Sequence, residues 1–189
     1  MEMEMEIEIE RCDMSDLDYV NGIMRHPSVY AHISDDHSPE AASFSAAPLL
    51  MSERAIFLRP VIDGFGAGLF LFHPWNSVCF EAHTCVLPGF RGRAAVLASG
   101  MAAAWMFENT GCRKIVTHVP AWNRAAYALA RRAGFRAEGV NRKSFLRNGR
   151  LCDQAIMGLS KEDWEQRACA KAREAAEEKA ESAFAPVRL

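Results

Sequence analysis

The stretch from residue 77 to residue 119 constrains the fold most. Ser77 to Leu87 alternates Val78, Phe80, Ala82 and Thr84 with Cys79, Glu81, His83 and Cys85, the period-two pattern of a strand. Pro88-Gly89 ends it. A helix from about Ala94 to Asn109 follows, carrying Leu97, Met101, Ala104, Trp105 and Phe107, with Gly111 placed to cap it. Lys114 to Val119 is then a short buried strand. Strand, helix and strand in succession predict a right-handed parallel crossover, so one sheet must hold a parallel pair whatever the rest of it does.

The flanking segments make that sheet mixed. Residues 2–10 alternate Glu with Met or Ile, a strand with an acidic wet face suited to a sheet edge. Asp13 to Met24 reads as a helix, capped by Asp13 or Ser15, with Leu17, Val20, Ile23 and Met24 on its apolar face. His26-Pro27 stops it, and residues 27–40 have loop composition, with room for a short helix starting at Val29-Tyr30. Ser38 or Pro39 opens a second helix through Ala41 to Leu50. Ala55–Ile62 and Gly68–His73 are strands joined around Asp63-Gly64-Phe65-Gly66. Arg124 to Ala133 is an amphipathic helix closed by Gly134. Phe135 to Val140 and Phe145, then Leu151 to Leu159, form a hairpin with Asn148-Gly149 as its type I′ turn.

Ser160 caps a final helix, Trp164 to Phe184, with an Ala stripe at 168, 172, 175 and 176. It reads as a mostly solvated appendage; docking on a partner or a second copy of the chain is the sharper alternative. The expected architecture is α/β, a mixed, mostly antiparallel central sheet flanked by helices. One domain spans 1–160, and 161–189 is a C-terminal helical extension.

A chain of 189 residues that is half apolar builds one full core, and 24% charged with 10% aromatic residues excludes a disordered or fibrous protein. No apolar run approaches the roughly 20 residues of a membrane span. The acidic N-terminus is the opposite of a signal peptide. Six cysteines stand singly at 12, 79, 85, 112, 152 and 169, which fits reduced thiols and a cytoplasmic location. The net charge of −2 hides a segregation: residues 1–85 carry four basic and fourteen acidic side chains, residues 86–150 twelve basic and two acidic. Either an anionic ligand meets the middle third or the two halves attract each other.

The turn Leu87-Pro88-Gly89-Phe90-Arg91-Gly92-Arg93-Ala94-Ala95-Val96 has the character of an anion site. Unpaired amides at a helix N-terminus, the helix dipole and the arginines all favour a diphosphate there. About thirty residues later come Asn123, Ala126, Leu129, Gly134 and Phe135. With that turn, and with Glu138-Gly139-Val140, Arg147-Asn148-Gly149-Arg150 and Met157-Gly158-Leu159, these spacings resemble the GCN5-related N-acetyltransferase (GNAT) superfamily. The pattern is most similar to the branch that acetylates protein N-termini, including ribosomal proteins; the good resemblance covers residues 77–164.

The resemblance implies acetyl-CoA as co-substrate, with its pyrophosphate on Arg91, Gly92, Arg93, Ala94, Ala95 and Val96. Its pantetheine arm would run where the strands at 80–87 and 114–119 part, beside the backbone of Val86 and the side chain of Asn123. Ala94 and Val96 stand where the family has small residues. The family's tyrosine after Leu129 is Ala130 here, and Tyr127, almost one helical turn earlier, is the substitute candidate for the acid that protonates the leaving thiolate. The acceptor is a primary amine, on a protein N-terminus, a lysine or a small molecule, attacked directly in a ternary complex.

Glu81 and His83, two apart on one strand, share a face and are the candidate bases, directly or through a water. The plain alternatives are a salt bridge from Glu81 to a middle-third arginine, and packing roles for His83 and His118. His26, His32 and His37 with Asp35 and Asp36 lack ligand spacing, so no metal is expected; their loop is a candidate acceptor rim. A GNAT-like module that has lost catalysis, such as a phage virion or host-interaction protein, is the competing functional reading. A nucleic-acid partner is not expected, because no aromatic-rich strand motif or recognition helix accompanies the basic third.

Overall fold

The computed structural model describes residues 5–52, 54–170 and 173. The acidic alternation forms strand β1 (Ile7–Arg11), which pairs antiparallel with β2 (Ile56–Ile62) and stands at the sheet edge, as its wet face requires. Positions 2–4 of the expected strand lie outside the described residues. Glu10 on β1 accepts from Arg59 on β2 at 2.5 and 2.8 Å, and Asp16 takes the same guanidinium at 3.2 Å.

The helix expected over 13–24 is divided. Asp13 forms a capping box over a single 3-10 turn, Met14–Asp16, and α1 (Leu17–Arg25) follows, burying Val20, Ile23 and Met24. The expected loop after His26-Pro27 is instead helix α2 (Pro27–Ile33). Proline ends α1 but is tolerated at the first position of the next helix, and His26 caps that helix by accepting from the Ser28 amide. The helix expected through Ala41–Leu50 is broken into a 3-10 turn, Ala41–Ser43, and the single-turn α3 (Ala47–Leu50). Pro48 has no amide to donate to a preceding turn, so one continuous helix cannot form.

From β2 the chain meanders through β3 (Phe65–Gly66), β4 (Gly68–Pro74) and β5 (Cys79–Val86), all antiparallel. Helix α4 (Arg93–Asn109) crosses to β6 (Lys114–Pro120), which is parallel to β5; α5 (Arg124–Ala133) leads to the hairpin of β7 (Arg136–Arg147) and β8 (Arg150–Ser160). Asn148 and Gly149 both have positive φ, the type I′ geometry read from their sequence. The sheet order is β1-β2-β4-β5-β6-β8-β7, with β3 paired off it to β2. Gly134 closes α5 in the left-handed conformation, but Gly111 does not close α4. Thr110 does, its hydroxyl donating to the Met106 carbonyl and accepting from the Cys112 amide.

Helices α4 and α5 cover one face of the sheet. Ala95, Ala98, Ala102 and Ala103 are small enough to bring α4 close to the strands, and Met106 and Phe107 complete that side of the core with Phe70, Ile115, Met157 and Leu159. Helices α1 and α2 cover the other face through Val20, Ile23, Met24 and Val29 against Phe57, Leu69 and Leu71. Residues 161–170 are helical, Ser160 accepts from the Asp163 amide, and Trp164 packs on Phe107 with ring centroids 5.7 Å apart. The remainder of the expected C-terminal helix, including Ala172, Ala175 and Ala176, lies outside the described residues. No described helix is long and apolar enough to cross a membrane.

Gly68 sits at φ +155°, opposite Val86, and a Cβ there would fall into the Cys85 carbonyl. Replacement by Ala must push the C-terminal end of β5 away from β4. Gly68→Ala is expected to cost about 3 kcal/mol, a fall in Tm of roughly 6–12 °C; a loss below about 0.5 kcal/mol in denaturant titration would show that the strand end is not so constrained.

All six cysteines are free thiols. Burial pushes Cys12 and Cys112 up to about 11 and Cys85 to about 12. Timed alkylation of the native protein at pH 8, read by peptide mass spectrometry, should modify exposed Cys169 and spare these three until the protein is unfolded.

Candidate active site

β5 and β6 bond to each other through three pairs, Cys79 with Lys114, Phe80 with Ile115 and Glu81 with Val116, and then part. Beyond that point β5 stays with β4 as far as Val86, and β6 stays with β8 as far as Pro120. The gap between them opens a two-lobed cleft, with cavity volumes of about 200 and 320 Å³. Both lobes share His32, Ile33, Thr84, Asn123, Ala126 and Leu129, so the space is continuous.

One lobe ends at the N-terminus of α4. Gly92 is the N-cap, at φ +85°, where an L side chain would be strained, and no side chain caps the helix. The first-turn amides of Arg93, Ala94 and Ala95 have no intrahelical acceptor, and the helix dipole adds partial positive charge. Arg91 lines this lobe beside Gly92, Ala95, Val96 and Arg132. Its Nε donates to the Val86 carbonyl at 3.3 Å and one Nη to the Ser28 carbonyl at 3.0 Å. A guanidinium has five N–H groups, so three remain for a ligand while the first two fix the plane. Ala94 is buried and Arg93 is exposed; neither lines the lobe. Uncapped amides, a pinned arginine and a second arginine fit an anionic group such as the diphosphate of CoA.

The charge segregation bears on this end. Among the described residues no Lys or Arg of 86–150 pairs with a carboxylate of 1–85. Lys114 pairs with Glu138, Arg136 with Asp163, and Asp36 accepts instead from the amides of Asn148 and Gly149. Attraction between the halves is therefore not expressed as ion pairs among the described residues.

The other lobe holds Glu81, His83 and His118. Glu81 Oε1 lies 2.9 Å from His118 Nδ1, and the Trp75 indole donates to Oε2 at 2.9 Å. Burial pushes the Glu81 carboxyl up, but those two hydrogen bonds and the neighbouring histidines outweigh it and hold the group below the usual carboxylate value. Burial holds His83 below the ordinary histidine value, and the nearby Glu81 carboxylate only partly opposes it. His73, across from Glu81 on β4, brings its Nε2 to 3.0 Å from His83 Nε2.

The partner of Glu81 is thus His118 rather than a middle-third arginine. His118 is read from the sequence as a packing residue and instead bonds Glu81; His73 and Trp75 are not among the sequence candidates, and the β4–β5 pairing brings them to Glu81. Tyr127 is half-exposed on α5 and lines neither lobe; Ala126 and Ala130 of the same helix face the cleft in its stead. Asn123 lines both lobes, with its Oδ1 capping α5 through the Ala126 amide at 3.1 Å and its amide nitrogen left over. Val86 lines the α4 lobe. The acceptor-rim expectation falls on α2 rather than on the loop after it: His32 and Ile33 line the cleft, whereas Asp35 accepts from Ser38 and the His37 amide. His32 stacks on Trp122 at 5.5 Å and the Arg147 guanidinium lies 3.9 Å over that indole, tying α2 to the β7–β8 hairpin.

The comparisons with known proteins agree with this geometry. The model of the acetyltransferase (GNAT) family matches residues 30–135. Among solved structures, the chain resembles a spermidine N-acetyltransferase from Vibrio cholerae in complex with CoA and spermine, at 17% identity and TM-score 0.70, over 84% of this chain and 97% of that one. It also resembles a ribosomal-protein-S5-alanine acetyltransferase from Vibrio fischeri, at 16% identity and TM-score 0.68, over 87% and 97%. A probable acetyltransferase of the GNAT family from Chromobacterium violaceum matches at 18% identity and TM-score 0.67, over 84% and 85%. At these identities the structural likeness speaks for the fold, while the family match covers more than half of the sequence and includes α4, its anion turn and α5. The chain belongs to the acetyltransferase (GNAT) family.

Proposed function

We propose that this protein transfers acetyl from acetyl-CoA to a primary amine by direct attack in a ternary complex. The observation that carries the reading is a single cleft with an uncapped, arginine-flanked helix N-terminus at one end and a carboxylate–imidazole group at the other, meeting where β5 and β6 part. Acetyl-CoA, when bound, supplies an acetyl group activated as a thioester. The amides of Arg93 to Ala95 with Arg91 and Arg132 would hold its diphosphate, and Asn123 and the end of β5 would flank its pantetheine arm. Glu81 or His83 takes the proton of the attacking amine, directly or through one water, and Glu81 is oriented for it by His118 and Trp75. Residues 1–160 form the catalytic unit in this reading, and the segment from 161 is an appendage docked through Trp164.

The acceptor is inferred to be a singly charged amine such as a peptide N-terminus. Glu81 is the only carboxylate among the described residues lining either lobe, whereas Arg91 and Arg132 line the α4 lobe and Arg147 lies over Trp122 beside His32. A polycationic acceptor would find one carboxylate in the cleft for several charges, with Arg147 at its edge.

Calorimetry with acetyl-CoA tests the cofactor end. The wild type should bind, and ligand at 100-fold above Kd should add about 2.7 kcal/mol of stability. Arg91→Glu should weaken binding about 10- to 100-fold or more, and Glu81→Gln should leave it within twofold. Equal, weak binding by all three would leave only a binding or structural module.

Transfer to a peptide N-terminus, followed by mass spectrometry with spermidine in parallel, tests the chemical end. Glu81→Gln should lower kcat about 10²- to 10⁴-fold. Tyr127→Phe should change it less than twofold; a large loss there would return the acid role to Tyr127.

A further inference from the structure

Outside the diphosphate cradle, the densest grouping of metal-ligating atoms is on the face of the sheet beside Glu81. His73 on β4 stands directly across from Glu81 on β5, and His83 follows Glu81 by two residues, so antiparallel pairing and the period-two alternation put all three side chains on one face. His73 Nε2 lies 3.0 Å from His83 Nε2 and 3.7 Å from Glu81 Oε2, and the three donor atoms are all within 4.8 Å of one another. Ligands 2.0–2.2 Å from a tetrahedral zinc are separated by about 3.3–3.5 Å. The spacing therefore brackets that of three corners of such a site, with no backbone movement needed to assemble it. No other group of this kind occurs among the described residues.

Two further features make this a built arrangement. The two imidazoles stack with ring centroids 5.1 Å apart, which holds their Nε2 atoms side by side next to the carboxylate. Glu81 is also oriented from behind by His118 Nδ1 on Oε1 and the Trp75 indole on Oε2, the kind of outer partners that fix metal-ligating carboxylates. Two imidazoles and one carboxylate suit a borderline divalent ion, and three protein ligands leave a fourth position open to the cleft.

We infer that His73, Glu81 and His83 form a zinc(II) site at the edge of the lobe that Glu81 and His83 line, and that its occupation opposes acetyl transfer. The second clause rests on the proposed base role: a lone pair of Glu81 or His83 engaged with zinc is not available to the amine's proton. Binding itself does not depend on that role. His73 is not one of the groups proposed to take the amine's proton.

The test uses the full chain without acetyl-CoA, at one fixed pH. Zinc is titrated in competition with a chromophoric chelator, and cobalt(II) is added separately to read the ligand type. One equivalent of zinc should bind, and the cobalt spectrum should show tetrahedral bands without a thiolate charge-transfer band. His73→Ala should weaken zinc at least about 100-fold, and Trp75→Phe about 10-fold. His73 is partly exposed, so its variant should fold, which thermal melting confirms; His83→Gln is the second variant.

Equal zinc affinity in wild type and His73→Ala, or binding lost only on thiol alkylation, would overturn the site. Zinc binding by the predicted residues in a protein that transfers no acetyl would uphold the site and sink the transferase reading. Transfer without zinc binding would do the reverse. With both present, micromolar zinc should inhibit the wild type, and His73→Ala should be at least about 100-fold less sensitive.

Discussion

The parting of β5 from β6 after Glu81 and Val116 is the constraint from which the site follows. Two parallel strands that separate leave main-chain donors and acceptors facing a gap, and such groups require partners. Here each strand is held on its far side, β5 by β4 and β6 by β8, so the gap does not fray the sheet. The inner edges line a cleft broad enough for an elongated ligand, with α4 beginning at one end. The turn to α4 adds positive charge without side-chain capping, so what enters the cleft meets oriented amides and a fixed guanidinium together.

The same parting governs the chemistry at the other end. Glu81 is the last residue of β5 paired with β6, and His118 lies two residues beyond its partner Val116. If the strands stayed paired, His118 would have a regular neighbour on β5; because they diverge, its imidazole turns to Glu81 at 2.9 Å. The carboxylate is thereby charged, oriented and open to the cleft. His73 and His83 stand beside it on the same face, their Nε2 atoms 3.0 Å apart.

Much of this was legible along the chain. The crossover, the anion turn, the capped α5 and the type I′ hairpin are local, set by alternation, glycine position and helix period within a few residues. The acidic face of β1 marked a sheet edge for the same reason. What was hidden depends on register between distant segments: the pairing of His73 with Glu81, and the approach of His118 across the diverging strands, leave no trace in spacing. The loop reading of residues 27–40 hid a further contact, since α2 supplies the Ser28 carbonyl that pins Arg91. Pro27 ends α1 as its sequence indicates, and it also opens α2, two residues before the short helix expected at Val29-Tyr30. Tyr127 lies outside the cleft lining for a simpler reason: three residues on a helix is 300°, close to a full turn but enough to carry its side chain off the face that Ala126 and Ala130 present.

The segregation of charge takes its meaning from these contacts. Acidic residues near the N-terminus either face water on β1, engage Arg59, or cap turns, as Asp13 does. Asp36 faces the basic hairpin yet accepts from main-chain amides rather than from a cation, while Arg147 lies on Trp122 and donates to the Ala31 carbonyl. Arg91 and Arg147 are thus held in place by neutral partners, unlike Lys114 and Arg136, which pair with Glu138 and Asp163. Arg91 and Arg132 line the cleft beside the start of α4. A fold that fixes cations through carbonyls and aromatic faces keeps their field for a ligand.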